Sequence, residues 1–407
     1  MREGVGGNLA DILFNLLYFG QGLTYPIAQF GGLLTSAGAD PQPVALALIA
    51  IGLVALGVIL WLTRDRRAWL GIWWYGVAVL PPALSLSGGY VIDGPRLMLT
   101  ASVGAALAWA VGLEALWERL PGIGRAVPLA LATLLLLGGS AFVVTRLDLH
   151  DRLAPLYWEI FDAAAEAPDE RLVAVNLPAW VAPRDRVYAV GHEGVTYLTD
   201  YSPFRDLVWA NTGLEVQAEV LIWPDITPAL PGYTLGMVGA DLDRDGRAAA
   251  VRQADRAFLT RVIHDRWAWE TGAPFPDTPQ AITGAFANGI RLLSLAAYRA
   301  GDQVVIPLAW EVAAPVDEVA FVHLVCDGAL VAQRDGPPLG GLYPFDRWPP
   351  GGRWRETRLI PLPPDAGEAC AANVGLYDPA TGERVPLETG GQFVTVAMGS
   401  QPSGAPP

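Results

Sequence analysis

Arg96 and Asp93 are the charged residues best placed for chemistry, because they stand in a short polar stretch between two long apolar segments. A guanidinium group has the fork shape that suits a phosphate. We therefore treat the pair as a candidate contact to a lipid-linked phosphate. The alternative is structural: Arg96 anchors the chain at a membrane interface or forms an ion pair with Asp93.

The other candidates for catalysis or metal binding are weaker. The stretch Asp241–Gly246, DLDRDG, begins like a calcium-binding loop, but Arg252 stands where such a loop needs a bidentate Glu, which favours a polar turn. Glu114 lies in an apolar segment, near an end at which it can reach water. The 4 histidines are isolated in sequence, and no nucleophile motif occurs. The catalytic residue is therefore unknown, and we expect no metal ion and no cofactor.

Two further residue types are informative in the C-terminal part. Trp348 and Trp354 lie in a Pro/Gly-rich stretch, so we expect exposed indoles and a possible glycan contact, although core packing is the commoner use of Trp. Cys326 and Cys370 are the only cysteines. They could form a disulfide if this part lies outside the cell, or remain two buried thiols.

The apolar residues concentrate before Asp148, which indicates a transmembrane helical domain over residues 1–147. A spanning helix needs about 20 mainly apolar residues, and four stretches meet that need: Pro43–Leu62, Ala68–Ser85, Leu97–Trp117 and Val127–Val144. A fifth, Ile12–Leu34, carries polar residues and is predicted to be a span kinked at Pro26 or an interfacial helix. The fold class is thus an α-helical bundle of about five spans followed by a mainly-β region.

The arginines of the short loops predict the orientation in the membrane. Cytoplasmic loops are rich in basic residues, and the two loops with most arginine are 63–69 and 118–127. The last span then leads outward, so the chain after Arg146 is predicted to be extracytoplasmic, in a multi-pass plasma-membrane protein whose partner is the lipid bilayer. The net charge of −14 argues against nucleic-acid binding.

Beyond Asp148 the pattern changes to short apolar runs separated by Pro, Gly and Asp. We predict a β-rich α+β region over 148–288, an antiparallel β-sandwich over 289–398 and a disordered tail over 399–407. Pro155–Ala165 is predicted to be a short amphipathic helix, and Ala248–Asp265 is either helix or strand. The predicted strands are Arg171–Pro178, Val187–Leu198, Leu214–Trp223, Gln303–Glu311, Glu318–Cys326, Arg355–Leu362, Ala369–Tyr377 and Phe393–Met398.

Two stretches resemble a known family. The block from Phe321 to Glu356, with VGLYDPATGERVPL after it, resembles a β-sandwich appended to bacterial family 39-like membrane glycosyltransferases. These belong to the GT-C superfamily and are similar to protein O-mannosyltransferases. The run GPRLMLTASVG resembles an R-Y-L-Y-L-P-S-V-G-like run at the outer start of a late span: Arg96, Ser102, Val103 and Gly104 match, whereas Leu97, Leu99 and Ala101 depart from it.

This resemblance implies a sugar donor carried on a polyprenyl phosphate and a catalytic Asp in a first outer loop, which this chain does not offer. We therefore expect the C-terminal portion or a subunit of such a glycosyltransferase, inactive alone and partnered by an N-terminal catalytic half. The alternative is a membrane-anchored extracytoplasmic protein that binds carbohydrate or protein and has no enzymatic activity.

Overall fold

The computed structural model describes residues 8–93, 96–191, 193–199, 203–276, 282–367 and 369–399. Helices dominate its N-terminal part, and strands dominate the rest. In chain order the helices are α1 (Leu9–Leu23), α2 (Tyr25–Ala28), α3 (Gly31–Ser36), α4 (Pro41–Thr63), α5 (Arg66–Ser85), α6 (Gly88–Asp93), α7 (Arg96–Arg119), α8 (Ala126–Glu166), α9 (Phe204–Thr212) and α10 (Arg244–Gln253).

Among the described residues, three helical stretches are long and apolar enough to cross a membrane: Pro41–Thr63, Leu97–Arg119 and Gly122–Glu166. The predicted segment Ile12–Leu34 is broken, because α1 ends at Leu23 and α2 begins at Tyr25 with Pro26 in its first turn. The predicted interruption near Pro26 is therefore present.

The chain divides into two compact units. The helical unit comprises Met1–His150, Val181–Thr196 and Gly232–Thr234; the β-rich unit comprises Asp151–Trp180, Tyr197–Pro231 and Leu235–Pro407. Pro155–Ala165 is helical as predicted, but it is not a short helix, since it belongs to α8, a continuous helix of 41 residues with Pro155 inside it. The apolar face explains its continuity: Leu153, Leu156 and Ile160 are all buried at helical spacing.

Close packing of α5 against α7 organises the helical unit. A Cβ added at Gly71 would lie 2.6 Å from the carbonyl oxygen of Gly104, and one added at Gly104 would lie 2.7 Å from the backbone nitrogen of Tyr75. Small residues at such crossings let two helix backbones approach each other, which is the usual basis of helix association in membranes. Gly104 of the family-like run therefore has a packing role.

The segment Val181–Thr196 folds with the helices of this unit. The side-chain amide of Gln21 donates to the Val190 carbonyl at 2.8 Å and accepts from the Val190 N–H at 3.1 Å. Arg146 pairs with Glu193 at 2.9 Å, and both side chains are largely buried. The predicted strand Val187–Leu198 is wrong except at β3, because side chains of the helices satisfy part of its backbone.

The strands of the β-rich part are mostly short. In chain order they are β1 (Arg171–Val175), β2 (Pro178–Pro183), β3 (Val195–Thr196), β4 (Gln217–Ile222), β5 (Tyr233–Met237), β6 (Ala240–Asp241), β7 (Arg256–Ile263), β8 (Arg266–Pro274), β9 (Gly284–Ala285), β10 (Ile290–Leu295), β11 (Tyr298–Ala300), β12 (Gln303–Val312), β13 (Val319–Cys326), β14 (Ala329–Gln333), β15 (Gly352–Pro361), β16 (Cys370–Tyr377), β17 (Arg384–Val385) and β18 (Val394–Ala397). The undecided stretch Ala248–Asp265 contains the end of α10 and then β7.

A mixed ten-stranded sheet forms the backbone of the β-rich unit, in the order β6-β4-β1-β7-β8-β15-β12-β10-β9, with β11 beside β12. Its first four strands are parallel, and the others are antiparallel. A five-stranded antiparallel sheet, β14-β13-β16-β17 with β18 beside β16, shares its hydrophobic core. The predicted boundary at residue 288 is not a break between sheets, because β8 pairs directly with β15.

A buried ion cluster joins the two sheets. Arg358 of β15 donates to the Ala320 carbonyl of β13 at 3.0 Å and to the Gly336 carbonyl at 2.9 Å. Its Nε also donates to Glu356 at 3.0 Å, and Glu356 accepts from the Trp310 indole at 3.2 Å. Buried charges are tolerated when such partners replace water. The cluster therefore ties β15 of the ten-stranded sheet to β13 of the five-stranded sheet. Of the predicted tail, only Gly399 is described; its N–H donates to Ala297 at 2.8 Å.

Candidate functional site

The predicted phosphate contact lies where two helices meet. α6 ends at Asp93 and α7 begins at Arg96, but the side chains of Asp93 and Arg96 lie outside the described part of the structure. Leu97 follows Arg96 directly in the chain, and its side chain lines a groove in the helical unit.

We call this groove the Pro81 groove. It has a volume of about 440 Å³ and is lined by Ala78, Pro81, Pro82, Ser85, Leu86, Leu97 and Thr100. A proline inside a helix has no N–H for the carbonyl four residues earlier, so the Val77 and Ala78 carbonyls lack their intrahelical donors. One turn later, the Ser85 hydroxyl donates to the Pro81 carbonyl at 2.7 Å. The groove is therefore mainly apolar, with backbone polar groups at its edge.

Trp348 and Trp354 do not occupy exposed positions. Their side chains are only 2% and 3% exposed, and the Trp348 indole donates to the Tyr343 carbonyl at 2.9 Å. The predicted exposure is wrong because the Pro/Gly-rich stretch folds onto the core instead of projecting from it. Neither indole offers a face to a glycan.

The remaining predicted residues have structural roles. Asp243 is the N-cap of α10, where its carboxylate accepts from the Gly246 N–H at 2.7 Å, as expected for a polar turn. Glu114 pairs with Arg67 at 2.8 Å. Cys326 and Cys370 are joined by a disulfide between the neighbouring strands β13 and β16. His192 lies outside the described residues, and among those described no cluster of potential metal ligands occurs.

The carboxyl edge of the parallel strands is the usual ligand site of a doubly wound sheet, and here the chain itself covers it. Gly341, with φ +99°, brings the loop 338–348 against the Trp223 ring just after β4, where an added Cβ would lie 3.3 Å from the indole. Arg347 pairs with Asp245 at 2.8 Å, which ties the same loop to the start of α10. The loop 338–348 therefore packs over this edge beside β4 and the start of α10.

Glu270 is a deeply buried carboxylate of the β-rich unit, and its pKa is shifted. Burial opposes its ionisation, but the two Arg334 hydrogen bonds of 2.8 Å, together with the charges of Arg261 and Arg358, outweigh burial and hold its pKa below the ordinary value. A carboxylate that is saturated by guanidinium groups has no free position for a substrate. Glu270 is therefore a structural anchor.

A cleft of the β-rich unit lies between the C-terminal part of α8 and one face of the ten-stranded sheet. We call it the α8 cleft. Its volume is about 650 Å³. Its lining residues are Glu159, Asp162, Ala163, Glu166, Arg256, Phe258, Thr271, Gly272, Ala273, Pro307, Arg355, Glu356 and Thr357.

Charge in the α8 cleft is mixed. Arg256 is already engaged by Glu166 at 3.6 Å and by Glu170 at 3.0 Å. Glu356, which also lines the cleft, is paired with Arg358 at 2.9 Å. Glu159, Asp162 and Arg355 provide the other charges of the lining. The Glu159 side chain has substantial overall exposure, yet the enclosure around its carboxyl group and the charge of Asp162 raise its pKa to about 7. The cleft can thus hold a polar ligand and exchange a proton with it near neutral pH.

These carboxylates were not among the predicted site residues. Their spacing of three and four residues places them on one helix face, and this was the signal available in the sequence. It did not indicate a cleft, because a row of acids on a helix is ordinarily a solvated surface. These acids line a cleft because one face of the ten-stranded sheet lies opposite α8.

Comparison with known proteins assigns no family to this chain. No family model matches it, and no curated protein matches it. Among solved structures, a DUF3823 family protein from Bacteroides ovatus ATCC 8483 is similar to part of it, with 9% identity over 35% of this chain and 84% of that chain and a TM-score of 0.19. This similarity indicates neither a shared fold nor an activity.

Proposed function

We propose that this chain is the C-terminal portion or a subunit of a polyprenyl-phosphate-sugar-dependent membrane glycosyltransferase, inactive without an N-terminal catalytic half. The observation that carries the proposal is the Pro81 groove, whose lining includes Leu97, the residue after Arg96. An apolar groove suits a polyprenyl chain, and a guanidinium group suits its phosphate. The family-like run that starts at Arg96 supports the same assignment.

The proposed topology has about five membrane segments and an extracytoplasmic β-rich unit in the plasma membrane. Three helical stretches with the length and apolarity for spanning support it. The Cys326–Cys370 disulfide supports an oxidising location for the β-rich unit, since such bonds are rare in the cytosol.

The test is photolabelling of the full chain in nanodiscs with a diazirine-bearing polyprenyl phosphate, followed by mapping of the labelled peptides. We expect labels on residues of the Pro81 groove. A second lipid-accessible groove of about 540 Å³, lined by Leu135, Leu136, Gly139, Ser140, Val143 and Val144, is the internal control and should label weakly.

Arg96→Ala is expected to lower labelling by the phosphate probe about tenfold or more, because charge-assisted hydrogen bonds to phosphate are lost. Labelling by the matching polyprenol, which has no phosphate, should stay unchanged. Arg66→Ala, in the loop predicted to be cytoplasmic, is the charge-matched control. Equal labelling of the two grooves, or no effect of Arg96→Ala, would contradict the proposal.

The second candidate is a membrane-anchored extracytoplasmic binding protein without enzymatic activity. The α8 cleft favours it, because a cleft of about 650 Å³ with polar walls can bind a ligand without any catalytic partner. The two candidates differ in the membrane: a pure binding protein predicts no preference of the phosphate probe for the Pro81 groove.

A further inference from the structure

We propose that the groove around Trp209, on the surface of the β-rich unit, binds a saccharide. The groove lies between α9 and the start of β4, with a volume of about 530 Å³, and is lined by Arg205, Asp206, Trp209, Glu215, Val216 and Gln217. The inference goes beyond the proposed glycosyltransferase role and stands without it.

Trp209 is unusual among the tryptophans of this unit. Its side chain is 56% exposed, whereas Trp223, Trp267, Trp269, Trp310, Trp348 and Trp354 are all buried. Leaving a large indole in water forgoes the free energy that its burial would give. The other strongly exposed indole among the described residues of this unit, that of Trp158, lines none of the clefts described above.

The groove is built on fixed elements. Phe204 and Val208, on the inner side of α9, are buried and hold the helix against the unit. The helix ends at Gly213 in the left-handed region, with φ +73°, and the Leu214 N–H donates to the Thr212 hydroxyl at 3.1 Å. Trp209 is therefore presented by α9 and Gln217 by the start of β4, and Glu215 lies in the short connection between them.

The chemistry of the lining matches a carbohydrate. The flat face of an indole packs against the C–H face of a pyranose ring, which combines an apolar contact with tolerance of the hydroxyl groups at its edge. Asp206 and Glu215 supply hydrogen-bond acceptors, Arg205 supplies donors, and the Gln217 amide supplies both. Paired hydroxyls of a sugar need this mixture of donors and acceptors around a ring.

Other ligand classes fit less well. Two carboxylates among six lining residues repel a phosphate or a nucleic acid. An apolar peptide would need a continuous hydrophobic surface, but Val216 is the one aliphatic residue of the lining and is itself largely buried. Contact of Trp209 with a lipid surface is the competing role, and the experiment below separates it.

The test is a glycan array of neutral and acidic oligosaccharides probed with the full chain in nanodiscs, followed by saturation-transfer NMR titration of the strongest array ligand. We expect sub-millimolar binding, weakened about tenfold or more by Trp209→Ala and by Glu215→Ala, because stacking and hydrogen bonding are each lost. Trp209→Phe should retain part of the affinity.

Trp158→Ala is the matched control, because Trp158 is 54% exposed and lines no described cleft; its affinity should equal that of the unchanged chain. Absence of any array ligand, or equal loss with Trp158→Ala, would overturn the inference. Quenching of Trp209 fluorescence by brominated lipids, measured as the difference between the chain and Trp209→Phe, would assign the residue to the membrane surface instead. None of these outcomes depends on the Pro81 groove, so the two proposals fail separately.

Discussion

Glu159 carries a carboxyl group whose protonation changes near neutral pH, because the α8 cleft and Asp162 raise its pKa to about 7. It lies beyond the predicted span Val127–Val144, in the part of α8 that belongs to the β-rich unit, and its side chain is exposed. The folded chain binds this proton more tightly than the unfolded chain does. Stability should therefore fall as pH rises from about 4.5, the ordinary value, to about 7.

Glu159→Gln should remove this part of the pH dependence and stabilise the chain relative to the unchanged protein at pH about 8. The gain should stay below about 1 kcal/mol, since the side chain is partly solvated and its charge is screened. The measurement is the midpoint of thermal unfolding in nanodiscs between pH about 5 and about 8. Asp162→Asn should act in the same direction, because it removes the charge that opposes ionisation. Parallel pH curves for the three proteins would refute the assignment.

The role of Trp209 also depends on its position in the fold. The tryptophans of the β-rich unit have the same side-chain chemistry, and their positions alone decide which of them can meet a ligand. The presence of a tryptophan therefore predicts that stacking on a ligand is chemically feasible, and the exposure of its side chain decides whether a ligand can reach it.

At the scale of elements, the α5–α7 contact depends on the absence of side chains at Gly71 and Gly104. The neighbouring atoms are backbone atoms, which cannot move aside without separating the helices. Overpacking of a tight contact costs about 1–3 kcal/mol.

Gly104→Ala should therefore destabilise the chain by about 1–3 kcal/mol, measured by thermal or denaturant unfolding in nanodiscs. Gly76→Ala on the same helix pair is the matched control, because an added Cβ there has no atom within 4 Å. It should be neutral or slightly stabilising, since alanine favours a helix more than glycine does. Equal effects of the two substitutions would show that the close approach does not matter.

At the scale of the whole molecule, a disulfide links two strands of the β-rich unit. The disulfide closes a loop of 44 residues between Cys326 and Cys370, and both cysteines are buried. Joining two strands this far apart in sequence restricts the unfolded chain, and removal of a native disulfide from such a domain commonly costs about 2–4 kcal/mol.

The double substitution Cys326→Ala and Cys370→Ala should lower the free energy of unfolding by about 2–4 kcal/mol. Rapid alkylation of intact cells, followed by reduction and mass labelling, should find both thiols blocked as a disulfide in the expressed chain. A single cysteine introduced at the exposed Leu330, with the disulfide intact, should react with an impermeant maleimide, whereas one introduced at Arg66 should not. Free thiols at Cys326 and Cys370, or the reverse labelling pattern, would overturn the topology.

The sequence alone determined the features that depend on local pattern. Runs of apolar residues predicted α4, α5 and α7, and alternation predicted β12, β13, β15 and β16, because helix and strand periodicities act over a few residues. The polar turn at Asp243 and the interruption near Pro26 followed in the same way from the local chemistry of capping and proline.

Tertiary structure decided whatever depends on residues distant in sequence. The pairing of β8 with β15 joins two regions that the sequence predicts to be separate domains. The sequence does not reveal this pairing, because the composition of a strand does not specify its partner. Folding of the loop 338–348 onto the core buries Trp348, whereas the indole of Trp209, on α9, stays exposed. The α8 cleft likewise exists because the end of α8 faces strands that come much later in the chain, among them β7, β8 and β15, and no local pattern predicts that they meet.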